Sequence, residues 1–169
     1  MRFHKLKADD MLNGEGLRMV LFLSGCEHHC KNCHNPETWD CNSGIEFTDS
    51  HEAAIRLGLS VFDYHDGITL TGGDPLHPKN RNDVLKFVKH FKKCFQNRKT
   101  IWLYTGYLWE DIVKDEIMYK VIKNVDVVVD GKFVEELADI NYPYAGSTNQ
   151  RVIDVKKSLK EKKIILKKY

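Results

Sequence analysis

The stretch LRMVLFLSGCEHHCKNCHNP, Leu17 to Pro36, opens as an apolar run and closes as a cysteine loop. Val20 to Leu23 has the profile of a strand buried on both faces, as in a parallel sheet. The run leads straight into Cys26, Cys30 and Cys33, spaced C-x3-C-x2-C. In α/β folds, ligand-facing residues collect at the C-terminal ends of strands.

Outward from this stretch the same pattern recurs. Ile68–Thr71 is a short strand ending at Gly72-Gly73, Ile101–Thr105 one ending at Gly106, and Val125–Val129 one ending at Asp130-Gly131. Helical spacing fills the gaps: Ala53, Ala54 and Leu57 within Asp49–Leu59, a stripe of Val84, Leu85, Val88 and Phe91 with Asn80 or Asn82 as cap, and one helix carrying Ile112, Val113, Ile117, Val121 and Ile122. The alternation predicts an α/β fold with right-handed crossovers. Val155 to Tyr169 is lysine-rich, with Ile164–Leu166 as a late strand. This tail, from about residue 156, reads either as a solvated terminus or as a surface for an acidic patch.

A chain of 169 residues suits one domain, here expected over 1–169. A net charge of +2 is too mild to argue for nucleic acid or a membrane surface. MRFHKLKADD has no apolar signal segment, and Met19–Leu23 is far too short to span a bilayer, so the expectation is a soluble cytoplasmic protein. Five cysteines, three of them clustered, fit a reducing compartment and a metal site better than a disulfide framework.

Two metals suit the loop. Zinc needs four ligands, and His34 or Cys41 can supply the fourth, although a second C-x-x-C is missing. A four-iron cluster needs only three thiolates if one iron is to stay open for a substrate.

Gly14-Glu15-Gly16-Leu17-Arg18, Phe22, Gly25, the three cysteines and Asn35 resemble the signature of radical S-adenosylmethionine activating enzymes for glycyl radical proteins. HNPETW (34–39), TLTGGDPL (69–76), IWLYTGY (101–107), DVVVDGKF (126–133) and GSTNQRVIDV (146–155) resemble blocks of the anaerobic ribonucleoside-triphosphate reductase activating family. Together the blocks cover nearly the whole chain. The resemblance implies an incomplete (β/α) barrel of mostly parallel strands, open on one side and closed by the partner.

It further implies that Cys26, Cys30 and Cys33 hold a [4Fe-4S] cluster and that the open iron binds the amino and carboxylate groups of S-adenosylmethionine. Reductive cleavage then gives a 5′-deoxyadenosyl radical, which takes hydrogen from a glycine Cα of the reductase large subunit. A low-potential donor such as a flavodoxin is the family expectation. Activation of a pyruvate formate-lyase type enzyme is the near rival, and the TWD and YTGY neighbourhoods favour the reductase.

The cofactor-binding set expected from the matching blocks is Asn35, Thr71, Gly72, Gly73, Asp74, Thr105, Asp130, Lys132, Asn149, Gln150 and Arg151. Gly72-Gly73 lets backbone approach a ligand, and Asp74 offers a charge-assisted contact to the cofactor's ammonium. The wider superfamily commonly has Glu there; the shorter Asp leaves a contact through backbone or water open. Thr105-Gly106 falls near the ribose or methionine. Lys132 meets the carboxylate, with Asp130 orienting it or helping to bind a cation; the alternative is a surface ion pair. Asn149, Gln150 and Arg151 either hold the nucleoside or bond loop backbone. Arg18 is expected to pair with an acid below the site. His28, His29 and His34 read as solvated loop histidines, and Asn32 departs from the apolar residue common before the third cysteine. Cys41 matches no motif, and Cys94 reads as ordinary packing.

Overall fold

The structure is a computed structural model and describes residues 1–168. Its elements run β1 (Arg2–Asp10), β2 (Arg18–Leu23), β3 (Ile45–Glu46), α1 (Asp49–Val61), β4 (Gly67–Gly72), α2 (Arg81–Phe95), β5 (Thr100–Tyr104), α3 (Trp109–Ile112), α4 (Glu116–Ile122), β6 (Val127–Asp130), β7 (Arg151–Asp154) and α5 (Val155–Glu161). The strands form one seven-stranded sheet in the order β3-β1-β2-β4-β5-β6-β7. Its centre, β2-β4-β5-β6, is parallel, and its flanks are antiparallel.

Side-chain alternation divides the sheet into two faces. Leu21 and Leu23 of β2, Ile68 and Leu70 of β4, Ile101 and Leu103 of β5, Val128 of β6 and Ile153 of β7 enter the main core. Phe87, Val88 and Phe91 of α2 and Val121 of α4 cover them. Truncating Leu70, which is 0% exposed, to Ala would cost about 2–5 kcal/mol in transfer and cavity terms.

The opposite face carries Arg18, Thr69, Thr100 and Trp102, and it has a second small core of Trp102, Val127, Val129 and Val152. Segment 11–17 crosses this face at one end, where the Thr69 hydroxyl donates to the Asn13 carbonyl at 2.6 Å. The loop through Tyr144 covers it at the other, where the Tyr104 hydroxyl donates to the Tyr144 carbonyl at 2.8 Å.

The four expected strands and the first two helices are present, and several details differ. β6 begins at Val127 because Val125 is still turning out of α4, its N–H bonded to the Ile122 carbonyl. The single helix expected around 112–122 is two, α3 and α4. Asp115 breaks it by capping α4, its Oδ1 accepting from the Ile117 and Met118 N–H groups at 2.9 Å. Asn80 does stand at the start of α2, but its amide donates to the Ser24 and Asp74 carbonyls instead of capping. Ile164–Leu166 contributes only an isolated bridge, Ile153 to Leu166.

Among the described residues, Arg18 makes no ion pair with an acid. Its guanidinium donates to the Thr69 and Thr100 hydroxyls and to the carbonyls of Glu15, Ile68 and Thr100, all at 2.9–3.0 Å, and stacks over Trp102. Burial pulls its pKa down to about 10. Among the described residues, no helix is long and apolar enough to cross a membrane.

Candidate functional site

A cleft of about 670 Å³ lies at the C-terminal ends of β2, β4, β5 and β6. Cys26, Cys30 and Cys33 line one wall, together with Asn35. Thr71, Gly72, Gly73, Asp74, Thr105 and Gly106 form the floor, and Lys132, Phe133 and Gln150 a further side. Four chain segments distant in sequence converge because four parallel strands deliver them to the same edge. The mouth is apolar and open: Met11, Leu12 and Ile140 line it at 69%, 80% and 97% exposure.

The cysteine loop turns sharply between its thiols. His29 and Asn32 take left-handed backbone angles, φ 46° and 52°. Asn tolerates that conformation better than a large apolar side chain, and the Asn32 amide also donates to Glu135. These two facts account for the departure before the third cysteine. Backbone N–H groups aim at the sulfurs: His28 and His29 at Cys26, Phe133 at Cys30, and Asn35 at Cys33 Sγ at 3.4 Å. Burial nevertheless pushes the Cys26 thiol up to about 11 and raises that of Cys30. Burial thus favours the protonated thiol at both positions. Among the described residues, no three His, Cys, Asp or Glu side chains are placed to hold one metal ion.

The double glycine serves backbone packing at this spot. A Cβ on Gly72, at φ 94°, would stand 2.8 Å from the Phe22 Cα, and one on Gly73 would stand 2.6 Å from the Gly25 carbonyl oxygen. The β4 end thus presses against the entry to the cysteine loop, and any larger residue would lever the two apart.

A family model described as a 4Fe-4S single cluster domain matches residues 12–153. The chain is 42% identical to the anaerobic ribonucleoside-triphosphate reductase-activating protein of Salmonella typhi over 154 residues, which is 90% of this chain and 97% of that protein. The protein of that name from Pasteurella multocida is 38% identical over 151 residues, 89% of this chain and 95% of its own length. The one from Enterobacteria phage T4 is 41% identical over 152 residues, 90% and 93% respectively. The chain belongs to the anaerobic ribonucleoside-triphosphate reductase-activating protein family.

Within this member of the activating-protein family, the other expected site residues divide into two groups. Lys132 is exposed, lines the cleft, and forms no ion pair among the described residues. Asp130, Asn149 and Arg151 do not line the cleft. Asp130 is 0% exposed and accepts from the Trp109 N–H at 2.7 Å, Arg151 Nε at 3.0 Å and Arg151 Nη2 at 2.5 Å. Arg151 also forks onto Glu110 at 2.9 and 2.8 Å, and those hydrogen bonds hold the Glu110 carboxyl down at about 2. The surface ion pair offered as the alternative for Asp130 is a buried clamp tying β6, β7 and α3 together.

Asn149 donates to the Lys132 carbonyl at 2.9 Å. Gln150 lines the cleft, but its amide is engaged with loop backbone. It accepts from the Gly146 and Ser147 N–H groups and donates to the Gly131 carbonyl. His29 and His34 are exposed, as expected. His28 is not a solvated loop histidine: its side chain is 7% exposed and donates to Asp74. Its position midway through the cysteine spacing, beside GGDP in the fold but not in sequence, gave no one-dimensional signal.

Proposed function

We propose that this protein activates anaerobic ribonucleoside-triphosphate reductase by generating a glycyl radical on its large subunit, using a [4Fe-4S] cluster held by Cys26, Cys30 and Cys33 and S-adenosylmethionine bound in the cleft. The observation that carries the reading is the convergence of three thiols, their N–H donors and four strand ends on one open cleft, in a chain about 40% identical to named activating proteins. When bound, the cluster and S-adenosylmethionine supply a one-electron reductive cleavage whose product removes a hydrogen atom from a glycine Cα.

The chain's own residues then hold, orient and shield. Lys132 is the lysine that lines the cleft, and its charge suits a carboxylate. Thr71, Thr105 and the backbone around Gly72 and Gly73 form a polar floor, and Asn35 steadies Cys33. Gln150 shapes the wall through loop backbone, and the Asp130–Arg151 clamp, with Asn149 beside it, holds the strand end that presents Lys132.

The strand order β2-β4-β5-β6 advances in one direction with its helices on one face. Right-handed crossovers wound this way curl a sheet toward a barrel, which supports an incomplete (β/α) barrel formed by a single domain over 1–169. The exposed mouth at Met11, Leu12 and Ile140 leaves closure to the reductase. The electron donor is a low-potential protein of the flavodoxin type, and the compartment is the cytoplasm, where thiols stay reduced.

Electron paramagnetic resonance of the anaerobically reconstituted, reduced protein tests this. A [4Fe-4S] signal that changes with S-adenosylmethionine is expected, followed by a glycyl radical signal on the reductase large subunit. Zinc in place of iron, or a radical on pyruvate formate-lyase but not on the reductase, would overturn the assignment.

A further inference from the structure

We infer that Asp74 is a positioning residue: through His28 it fixes the cysteine loop to the sheet, and its carboxylate is not the group that receives the cofactor's ammonium. The inference rests on the reading of Cys26, Cys30 and Cys33 as the metal ligands. Asp74 is 1% exposed. Oδ1 accepts from the Leu76 N–H at 2.8 Å, and Oδ2 from the Gly106 N–H at 3.0 Å and His28 Nε2 at 2.7 Å. The Thr105 hydroxyl lies 2.9 Å from both oxygens. A carboxylate has about four lone-pair sites, and four protein donors already fill them. A cofactor ammonium would have to displace one.

Several features make room for the His28 ring. A Cβ on Gly106 would stand 2.3 Å from it, so any side chain there would evict the ring. Tyr107 packs edge-on against it at 4.7 Å, and the Tyr107 hydroxyl donates to Glu27, adding a second tie to the same loop. Among the described residues, no backbone N–H from 27 to 32 donates to a backbone carbonyl. The loop carrying the cysteines is therefore held between its ends by side chains. Asp74 is itself pinned, its N–H donating to the Gly25 carbonyl at 2.7 Å and its carbonyl accepting from Asn80 Nδ2 at 3.0 Å. Cysteine loop, β4 end and β5 end thus meet at one carboxylate.

The test compares H28F, H28Q, D74N and the H28F/D74N double variant by amide hydrogen exchange of the full metal-free chain. H28F keeps the ring's bulk and loses the donor; H28Q keeps a donor. The loop amides that have acceptors, Cys26 and Cys33 on backbone carbonyls and Asn35 on Cys33 Sγ, should exchange on the order of ten- to a hundredfold faster in H28F and in D74N, the effect of losing one charge-assisted hydrogen bond. The double variant should be no faster than the faster single variant, and H28Q should return toward wild type. After reconstitution, H28F and D74N should blunt the S-adenosylmethionine-induced change in the reduced-cluster resonance to the same degree.

If D74N abolishes that change while H28F leaves both it and loop exchange at wild type, Asp74 is a direct ligand and the inference fails. Additive exchange effects would also sink it. Exchange is read without iron or reductase, so a failed tie is distinguishable from a failed activase assignment, which would appear as zinc or as an absent glycyl radical.

Discussion

Replacing Asp130 by Asn separates a clamp from a cofactor ligand. Asp130 is fully buried, and Asn keeps its shape while removing the charge that faces Arg151 and one of its acceptor oxygens. Breaking a fully buried pair costs about 3–5 kcal/mol. The Arg151 side chain is 30% exposed and retains Glu110, so water and the second carboxylate recover part of this. The expected loss is about 2–3 kcal/mol. For a chain of this size that is roughly 4–12 °C in Tm. Glu110, half-exposed at 51%, gives the internal control: E110Q should cost under about 1 kcal/mol. The assay is urea and thermal unfolding of the metal-free chain, followed by S-adenosylmethionine binding after reconstitution. D130N protein that unfolds like wild type yet binds the cofactor tenfold more weakly would refute the clamp and put Asp130 in contact with the cofactor.

Alanine at Cys26, Cys30 or Cys33 should abolish the cluster and glycyl radical formation, read as iron content and radical yield; full yield from any one of the three would exclude that ligand. K132A should keep its iron but bind S-adenosylmethionine roughly tenfold more weakly, the loss of one exposed charged contact, measured by equilibrium titration. Stability should fall in acid through Asp126. Burial raises its pKa, but hydrogen bonds from Lys92 Nζ at 2.5 Å, the Ile101 N–H at 2.8 Å and Lys156 outweigh burial and leave it lowered overall. A depressed carboxylate contributes stability that is complete above its unfolded pKa of about 3.9 and is lost as pH falls through the folded value, so D126N should flatten the acid limb of an unfolding curve.

Much of the fold was legible because buried parallel strands write themselves as short apolar runs closed by Gly or Asp. VDVVVDG and ITLTGGD have little else they can be. β1 was invisible for a physical reason. RFHKLKADD is an antiparallel flanking strand whose register shifts between Phe3 and Lys5 and again between Lys7 and Asp10, and its exposed residues fall on both faces, so it shows no two-residue alternation. Asp115 hid the α3–α4 break, since an acid within a helical stripe reads as a surface position until its side chain is seen accepting two N–H bonds.

The site was legible as a list but not as a division of labour. Motif blocks indicate which segments meet, since each sits at a strand end. They do not indicate where each side chain's hydrogen bonds go. Asp74 and Asp130 both stand at strand ends and both look available for a ligand, yet each is buried and engaged by protein donors. Lys132, two residues beyond Asp130, has no ion-pair partner among the described residues and stays in the cleft. A buried carboxylate costs free energy unless its acceptor sites are filled. An acid at a strand end in a tightly packed sheet is therefore satisfied by its neighbours, and the cleft receives the side chains that packing leaves over. In this chain those include the three thiols, held by N–H groups, and one lysine.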